Sequence, residues 1–410
     1  MKRFFLFSVL GSMVLYLAAC GGSGNNSVQL TGTPLTLQTG DALNDQIAKF
    51  ELTINSIVLT GAGGTADTAN LLSGPAEVEF SHQAGTFEPL SLAHVPPGTY
   101  SGATITVSNA EVVAMVGGVA TKLTASLSSS SVSVTFSPNV TVGSSPMFLN
   151  FDLDLANSVT ISGTSATITP KFNVSTSTVA PDENNEREDD GEIDDVHGSV
   201  TAIAAPNFTI QTRTTTITFA TDANTRFHDG ISQLSDLKVG DIVEVEAATK
   251  SDGTRLATSV EREGDHNGEE AEGLISNLDS PLSKITIVHQ MDSTGTSNSP
   301  VTVDVGVNAG TVFSVRFDKL NVSAPPLFDA NHIGKGQRIE IDSSSASAPL
   351  LASKVKLREQ ALIGTVAASP VPTSSGFTLN VSPTSAFGTL SGATSVPVTF
   401  ANGADLRTTP

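Results

Sequence analysis

The chain contains no tryptophan, only two tyrosines and a single cysteine, Cys20. One cysteine excludes an intramolecular disulfide, so stability has to come from packing. Basic residues are scarce as well: 21 Lys and Arg stand against 41 Asp and Glu, a formal charge of −20. A surface of that sign repels nucleic acid and anionic headgroups. The aromatic residues with basic flanks that stack on single-stranded bases are also lacking, so no nucleic-acid partner is expected. No run after residue 20 is long and apolar enough to be read as a membrane span. Extended Ala/Leu/Glu/Lys stretches are missing, whereas Thr, Ser, Val and 35 glycines are plentiful. That mixture favours strands and turns over helices.

What is present begins with the front end. Lys2 and Arg3 precede an apolar run from Phe4 to Leu17, too short to span a bilayer as a mature helix. Leu17-Ala18-Ala19-Cys20 closes it with small residues before the cysteine. This pattern resembles the lipobox of bacterial lipoproteins. The resemblance implies cleavage between Ala19 and Cys20, lipidation (palmitate among the acyl chains) of Cys20, and a membrane partner reached through that lipid. Gly21 in place of an acidic residue implies, by the same resemblance, the cell outer membrane. Several acyl chains at about 0.8 kcal/mol per buried methylene satisfy stable anchoring. Gly21 to Ser27 is polar and glycine-rich, the composition of a flexible tether.

Residues 28–178 read as one all-β domain, an antiparallel β-sandwich of roughly eight short strands. Phe50, Leu52 and Ile54 alternate at period two, and the phase then shifts to Ile57 and Leu59, as a bulge requires. Val116-Gly117-Gly118-Val119 and Ser162-Gly163 carry hairpin-turn chemistry. Leu149, Phe151, Leu153 and Leu155 alternate with Asn150, Asp152 and Asp154 on the other face. The segments Pro97-Gly98-Thr99-Tyr100 through Val107 and Leu149 to Asp154 resemble domain-of-unknown-function family 4382, a lipoprotein-borne β domain with no assigned activity.

Two acidic stretches follow. Asp182 to Asp195 holds nine carboxylates and one arginine, and Glu261 to Glu272 holds six carboxylates. Like charges in a run repel and keep a chain extended, so 179–195 and 264–271 are read as linkers. Behind each lies the same unit. His197-Gly198-Ser199-Val200, Glu272-Gly273-Leu274-Ile275 and Ile363-Gly364-Thr365-Val366 open three copies. Ala223-Asn224-Thr225-Arg226-Phe227 matches Ala309-Gly310-Thr311-Val312-Phe313. Val239-Gly240-Asp241-Ile242-Val243-Glu244 matches Lys335-Gly336-Gln337-Arg338-Ile339-Glu340, and Leu256-Ala257-Thr258-Ser259-Val260 matches Leu351-Ala352-Ser353-Lys354-Val355. About five short strands per copy imply a small closed or nearly closed β-barrel of OB-like shape. The fingerprint Asp236 to Val245 with Leu256-Ala257-Thr258 resembles domain-of-unknown-function family 5666, also without assigned activity. The repeats span 196–263 and 272–360, with insertions around Met291 to Ser299 and Asn321 to Pro326 in the second, and a partial third at 361–410.

The chemistry is sparse. Histidines 82, 94, 197, 228, 266, 289 and 332 are scattered and form no HExxH or other close metal spacing. No Gly-x-Ser-x-Gly elbow is present, and Gly61-Ala62-Gly63-Gly64 lacks the lysine of a phosphate loop. Calcium is the one ion worth weighing, on Asp182 to Asp195 or Asp265-His266-Asn267-Gly268. With Gly191 in the sixth position, however, the twelfth is His197 where an EF-hand needs glutamate. The sequence therefore predicts a non-enzymatic, outer-membrane-anchored binding or structural scaffold, its partner an envelope protein or glycan. The alternatives are an envelope hydrolase using Asp152 or Asp154 and a calcium-stabilised adhesin. Extended spacers between modules are expected to give it reach.

Overall fold

The computed structural model describes residues 32–42, 44–83, 87–178, 192–263, 270–292, 300–315, 326–345 and 349–400. The signal segment, Ala19, Cys20 and the tether lie outside the described residues. So do 179–191, 264–269 with His266, and most of the two expected insertions.

The first domain runs through β1 (Thr33–Ala42), β2 (Ile47–Ala62), β3 (Ala76–Glu79), β4 (Glu88–Val95), β5 (Gly98–Val116), β6 (Val119–Lys122), β7 (Thr124–Leu127) and β8 (Ser131–Val142). It continues with β9 (Met147–Asp154), a single-turn helix α1 (Leu155–Ser158), β10 (Val159–Ser162), β11 (Ser165–Ile168) and β12 (Phe172–Thr178). A four-stranded sheet β12-β9-β1-β4 faces a five-stranded one, β3-β2-β5-β6 with β8 on β5, and β10-β11-β7 forms a small third sheet. Phe50, Leu52, Ile54, Ile57, Leu37, Leu149 and Phe151 are fully buried between them. The phase shift in β2 coincides with the register break against β5 at Ile54/Ser56, one of four along this pair of strands. Gly117 and Gly118 turn the β5–β6 hairpin at φ 58° and 85°, the left-handed pair such a turn requires.

The sandwich is all-β as the sequence implies, yet two of its pairings are parallel, β1 with β9 and β7 with β11. Parallel neighbours come from strands far apart in the chain, so alternation within either strand carries no sign of them.

Two barrels follow with one plan. The first comprises β13 (Glu192–Ala204), β14 (Asn207–Gln211), β15 (Thr216–Ala220), β16 (Arg226–His228), β17 (Ile242–Thr249) and β18 (Arg255–Glu263). The second comprises β19 (Glu270–Leu278), β20 (Lys284–Asp292), β21 (Thr302–Gly306), β22 (Val312–Val315), β23 (Arg338–Ser343) and β24 (Leu350–Leu357). Their sheet orders are β15-β14-β13-β17-β18-β16 and β21-β20-β19-β23-β24-β22, and β15–β18 and β21–β24 contacts close each ring. Thr225 Oγ1 donates to the Ala257 carbonyl at 2.8 Å, and Thr311 Oγ1 to that of Ala352 at 2.9 Å, so the matched sequence blocks do the same work twice. The opening glycines are needed for close approach. A Cβ on Gly198 would lie 2.7 Å from the Gln211 carbonyl oxygen, and one on Gly273 1.9 Å from that of Val288.

The third unit has β25 (Gly364–Val366), β26 (Gly376–Val381), a short helix α2 (Ala386–Ser391) and β27 (Ser395–Thr399). Its order β25-β26-β27 repeats the first three strands of a barrel. A Cβ on Gly364 would lie 2.1 Å from the Asn380 carbonyl oxygen, the same device again.

The expected string of spaced modules is corrected: the described residues between 32 and 400 form one compact unit. The outward face of β9 is not a solvent face, because Phe148 packs with Leu92 into the core of the first barrel. Ala48, Val113 and Met115 of the sandwich pack with Leu274 and Val288 of the second barrel and Ala386 of α2. The linker boundaries shift accordingly. β13 starts inside the first acidic run, with Ile193 fully buried, and β18 and β19 take up both ends of the second.

Candidate functional site

The polar chemistry of the molecule gathers where the two barrels meet. In β17 and β18 the residues Val243, Val245 and Val260 point into the first barrel, and in β23 and β24 Ile339, Ile341 and Val355 point into the second. Period-two alternation sends Glu244, Glu246, Glu261 and Glu263 to the outside of one barrel, and Glu340, Asp342, Lys354 and Lys356 to the outside of the other. Outer faces of small barrels are ordinarily wet. Here Glu244, Glu263, Glu340, Asp342 and Lys356 are all buried, because each barrel turns the equivalent face to the other.

The repeat alignment explains why two such faces attract. Glu261 of the first barrel corresponds to Lys356 of the second, and Glu263 to Arg358. Opposite charge at equivalent positions makes like faces complementary. The Lys356 ammonium lies 2.7 Å from Glu263 Oε2, 2.9 Å from Glu261 Oε1 and 2.8 Å from Glu340 Oε1. Arg358 bridges Glu244 at 3.1 Å and Glu340 at 3.2 Å. Lys354 reaches back to Glu261 at 3.3 Å and to Asp229, and Arg338 pairs with Glu272.

Among the described residues the seam nonetheless sets eight carboxylates (Asp229, Glu244, Glu261, Glu263, Glu270, Glu272, Glu340 and Asp342) against those four cations. Burial alone would raise Glu340, but Lys356 and Arg358 hold it well below the usual carboxylate range. Glu263 and Glu270 go the other way: burial, then the charge of Glu340, pushes both well up. Asp342 is pushed up to about 6, first by burial. Burial opposes the charge on Lys356, and the carboxylates around it raise its pKa well above the ordinary lysine value.

A second cluster ties the sandwich to the barrels. Glu79 Oε1 accepts from the Phe50 and Ser81 amides at 2.9 and 3.2 Å, and its Oε2 accepts from the His82 amide at 3.0 Å and lies 2.7 Å from His82 Nδ1. His82 Nε2 meets Glu88. Burial would lower the His82 pKa, yet Glu88 and Glu79 raise it to about 10, while Glu79 falls to about 2. The ring is a buried imidazolium with both nitrogens engaged, so it offers no lone pair for base catalysis or metal ligation at neutral pH. From the second barrel, Arg338 Nη1 donates to the His82 carbonyl at 3.1 Å and Gln290 Nε2 to that of Ala48 at 2.7 Å. Beside this cluster a cavity of about 580 Å³, lined among others by Glu77, His82, Glu88, His197, Arg213 and Glu270, separates the sandwich from the first barrel.

Asp152 and Asp154 are placed differently from one another. Asp154 caps α1, its Oδ1 accepting from the Asn157 amide at 3.1 Å and its Oδ2 from the Asn157 side chain at 2.7 Å. Asp152 is partly buried, which raises its pKa, and it hydrogen-bonds Asn173. Neither lines the cavity. The acidic stretch from Glu261 to Glu272, read as a solvated spacer, is corrected in part: Glu261, Glu263, Glu270 and Glu272 lie on β18 and β19 and face the seam. The seam itself was not read from sequence. Its one available signal was the charge reversal at Glu261/Lys356 and Glu263/Arg358 on outward strand positions.

A family model described as Domain of unknown function (DUF5666) matches residues 197–261, the core of the first barrel, and the second barrel repeats its strand order. No match was found among curated proteins. Among solved structures, the Drosophila chain Unr CSD456 aligns at 11% identity over 78% of this chain and 100% of that one, with a TM-score of 0.14. No argument rests on a likeness of that size.

Proposed function

We propose that the protein is a lipidated outer-membrane protein, anchored through Cys20, that serves the cell envelope as a non-enzymatic binding or structural scaffold. One observation carries the scaffold reading: the buried cations Lys356 and Arg358, with Arg338, are used to join modules. They cross-link the barrels and the sandwich, and His82 is locked between two carboxylates. Lys356, Arg358 and His82, committed in this way, hold shape and keep their protons, whereas general acid–base work needs a group that gives up and regains its proton near the working pH. The lipid would hold the protein at the membrane, with an envelope protein or glycan as partner.

Labelled palmitate incorporation tests the anchor: Cys20→Ser should abolish labelling and release the protein from the membrane fraction, and labelling that survives contradicts it. Cross-linking in intact envelopes followed by mass spectrometry tests the scaffold role, with recovery of a stable envelope protein or glycan partner expected. Turnover of envelope substrates that Asp152→Asn abolishes would establish the hydrolase instead.

A further inference from the structure

At one end of the seam, three side chains from neighbouring strands bring metal-ligating atoms together. One ligand atom from each of His197 on β13, Glu244 on β17 and Glu263 on β18 lies within 4.8 Å of the other two. His197 Nε2 and Glu244 Oε2 are 3.8 Å apart, slightly wider than the roughly 3.4 Å between two ligands held at about 2.1 Å in a tetrahedral zinc site. Glu263 is 5% exposed and its Oε1 has no hydrogen-bond partner. A buried carboxylate oxygen left that way is costly, and a cation removes the cost. The other imidazole nitrogen, Nδ1, faces Glu270 Oε1 at 3.7 Å, from where a small closure would make the hydrogen bond by which a carboxylate orients a metal-bound histidine.

We propose that His197, Glu244 and Glu263 form a site for a divalent transition-metal cation of the zinc type, with Glu270 as a positioning residue for the imidazole. One imidazole and two carboxylates suit zinc or manganese, whereas calcium takes six to eight oxygens. The neighbouring trio Glu263, Glu340 and Asp342 also comes within 4.8 Å, but there Lys356 already stands as the cation, 2.7, 2.8 and 3.9 Å from them. Glu263 meets that ammonium through Oε2, which leaves Oε1 for the metal. Arg358 Nη1 donates to Glu244 Oε2, the oxygen nearest His197, at 3.1 Å and also meets Glu340 at 3.2 Å, so a metal at this site would share that oxygen with the guanidinium and use its second lone pair. A bound dication would offset part of the seam's excess of carboxylates over cations.

The test titrates the full chain, stripped by chelator, with Zn²⁺ alone and in parallel with Mn²⁺ and Ca²⁺, following heat and metal content. One equivalent of Zn²⁺ per chain is expected, with Ca²⁺ at least about tenfold weaker and a rise in Tm on loading. Glu263→Gln and His197→Gln should each weaken binding about tenfold or more, while Asp342→Asn changes it less than about threefold. Glu263→Gln keeps the side-chain shape and leaves Lys356 paired with Glu261 and Glu340, so the variant is expected to fold, and its metal-free Tm is measured beside its affinity. Should that variant fail to fold, His197→Gln decides. Absence of stoichiometric uptake overturns the proposal, as does uptake that both variants leave unchanged, which marks adsorption on the acidic stretches. Loss caused chiefly by Asp342→Asn overturns it in favour of the trio around Lys356.

Discussion

His82 shows how burial and two neighbours reassign a single side chain. Its pKa rises from the ordinary 6.5 to about 10, so the stability it contributes is complete below about pH 6.5 and is lost as pH climbs through 10. Glu79 falls from 4.5 to about 2, so its contribution is complete above about pH 4.5 and is lost as pH drops through 2. Between about 4.5 and 6.5 both act in full. His82→Gln leaves the buried Glu79 and the half-buried Glu88 without their cation, which should cost about 3 kcal/mol at pH 6. Urea unfolding across pH should show the gap to the wild type narrowing as pH approaches 10; a gap independent of pH would refute the imidazolium. None of this was legible in the sequence, where His82 is one of seven scattered histidines. Glu79 and His82 lie on the turn that ends β3, and their meeting with Glu88 depends on how β4 returns. Asp154 was legible only as an outward strand residue, since capping depends on the helix that follows.

At the scale of strands and turns, much was readable because period two and glycine turns are local. The hairpins at Gly117-Gly118 and Gly163, the bulged β2 and the repeat blocks all lie where the alternation puts them. The parallel pairs were not readable, because nothing within β1 or β9 specifies its partner. The repeats make a graded prediction. Gly273→Ala, whose Cβ would sit 1.9 Å from a carbonyl oxygen, should cost about 3 kcal/mol, and Gly198→Ala, at 2.7 Å, about 1 kcal/mol. Equilibrium denaturation that ranks the two the other way would refute the equivalence of the bends. Thr225→Val and Thr311→Val should each lose about 1 kcal/mol, since each removes the same hydrogen bond. A marked difference between them would mean that the matched blocks serve different ends.

At the scale of the whole molecule, a run of carboxylates in sequence resembles a solvated spacer, and only the pairing of β18 and β19 with their neighbours turns four of them into a seam. Charge along the chain is not charge in space. Lys356 is the test of that seam, because one ammonium serves Glu261, Glu263 and Glu340 from both barrels. Lys356→Met keeps the volume and strands those carboxylates, at a cost of about 3–5 kcal/mol. Scanning calorimetry of the full chain and of Lys356→Met measures this directly. The wild type should unfold both barrels in one cooperative transition, and the variant should melt lower with the transition split in two. Separate barrel transitions already present in the wild type, with Lys356→Met shifting only one of them, would contradict it.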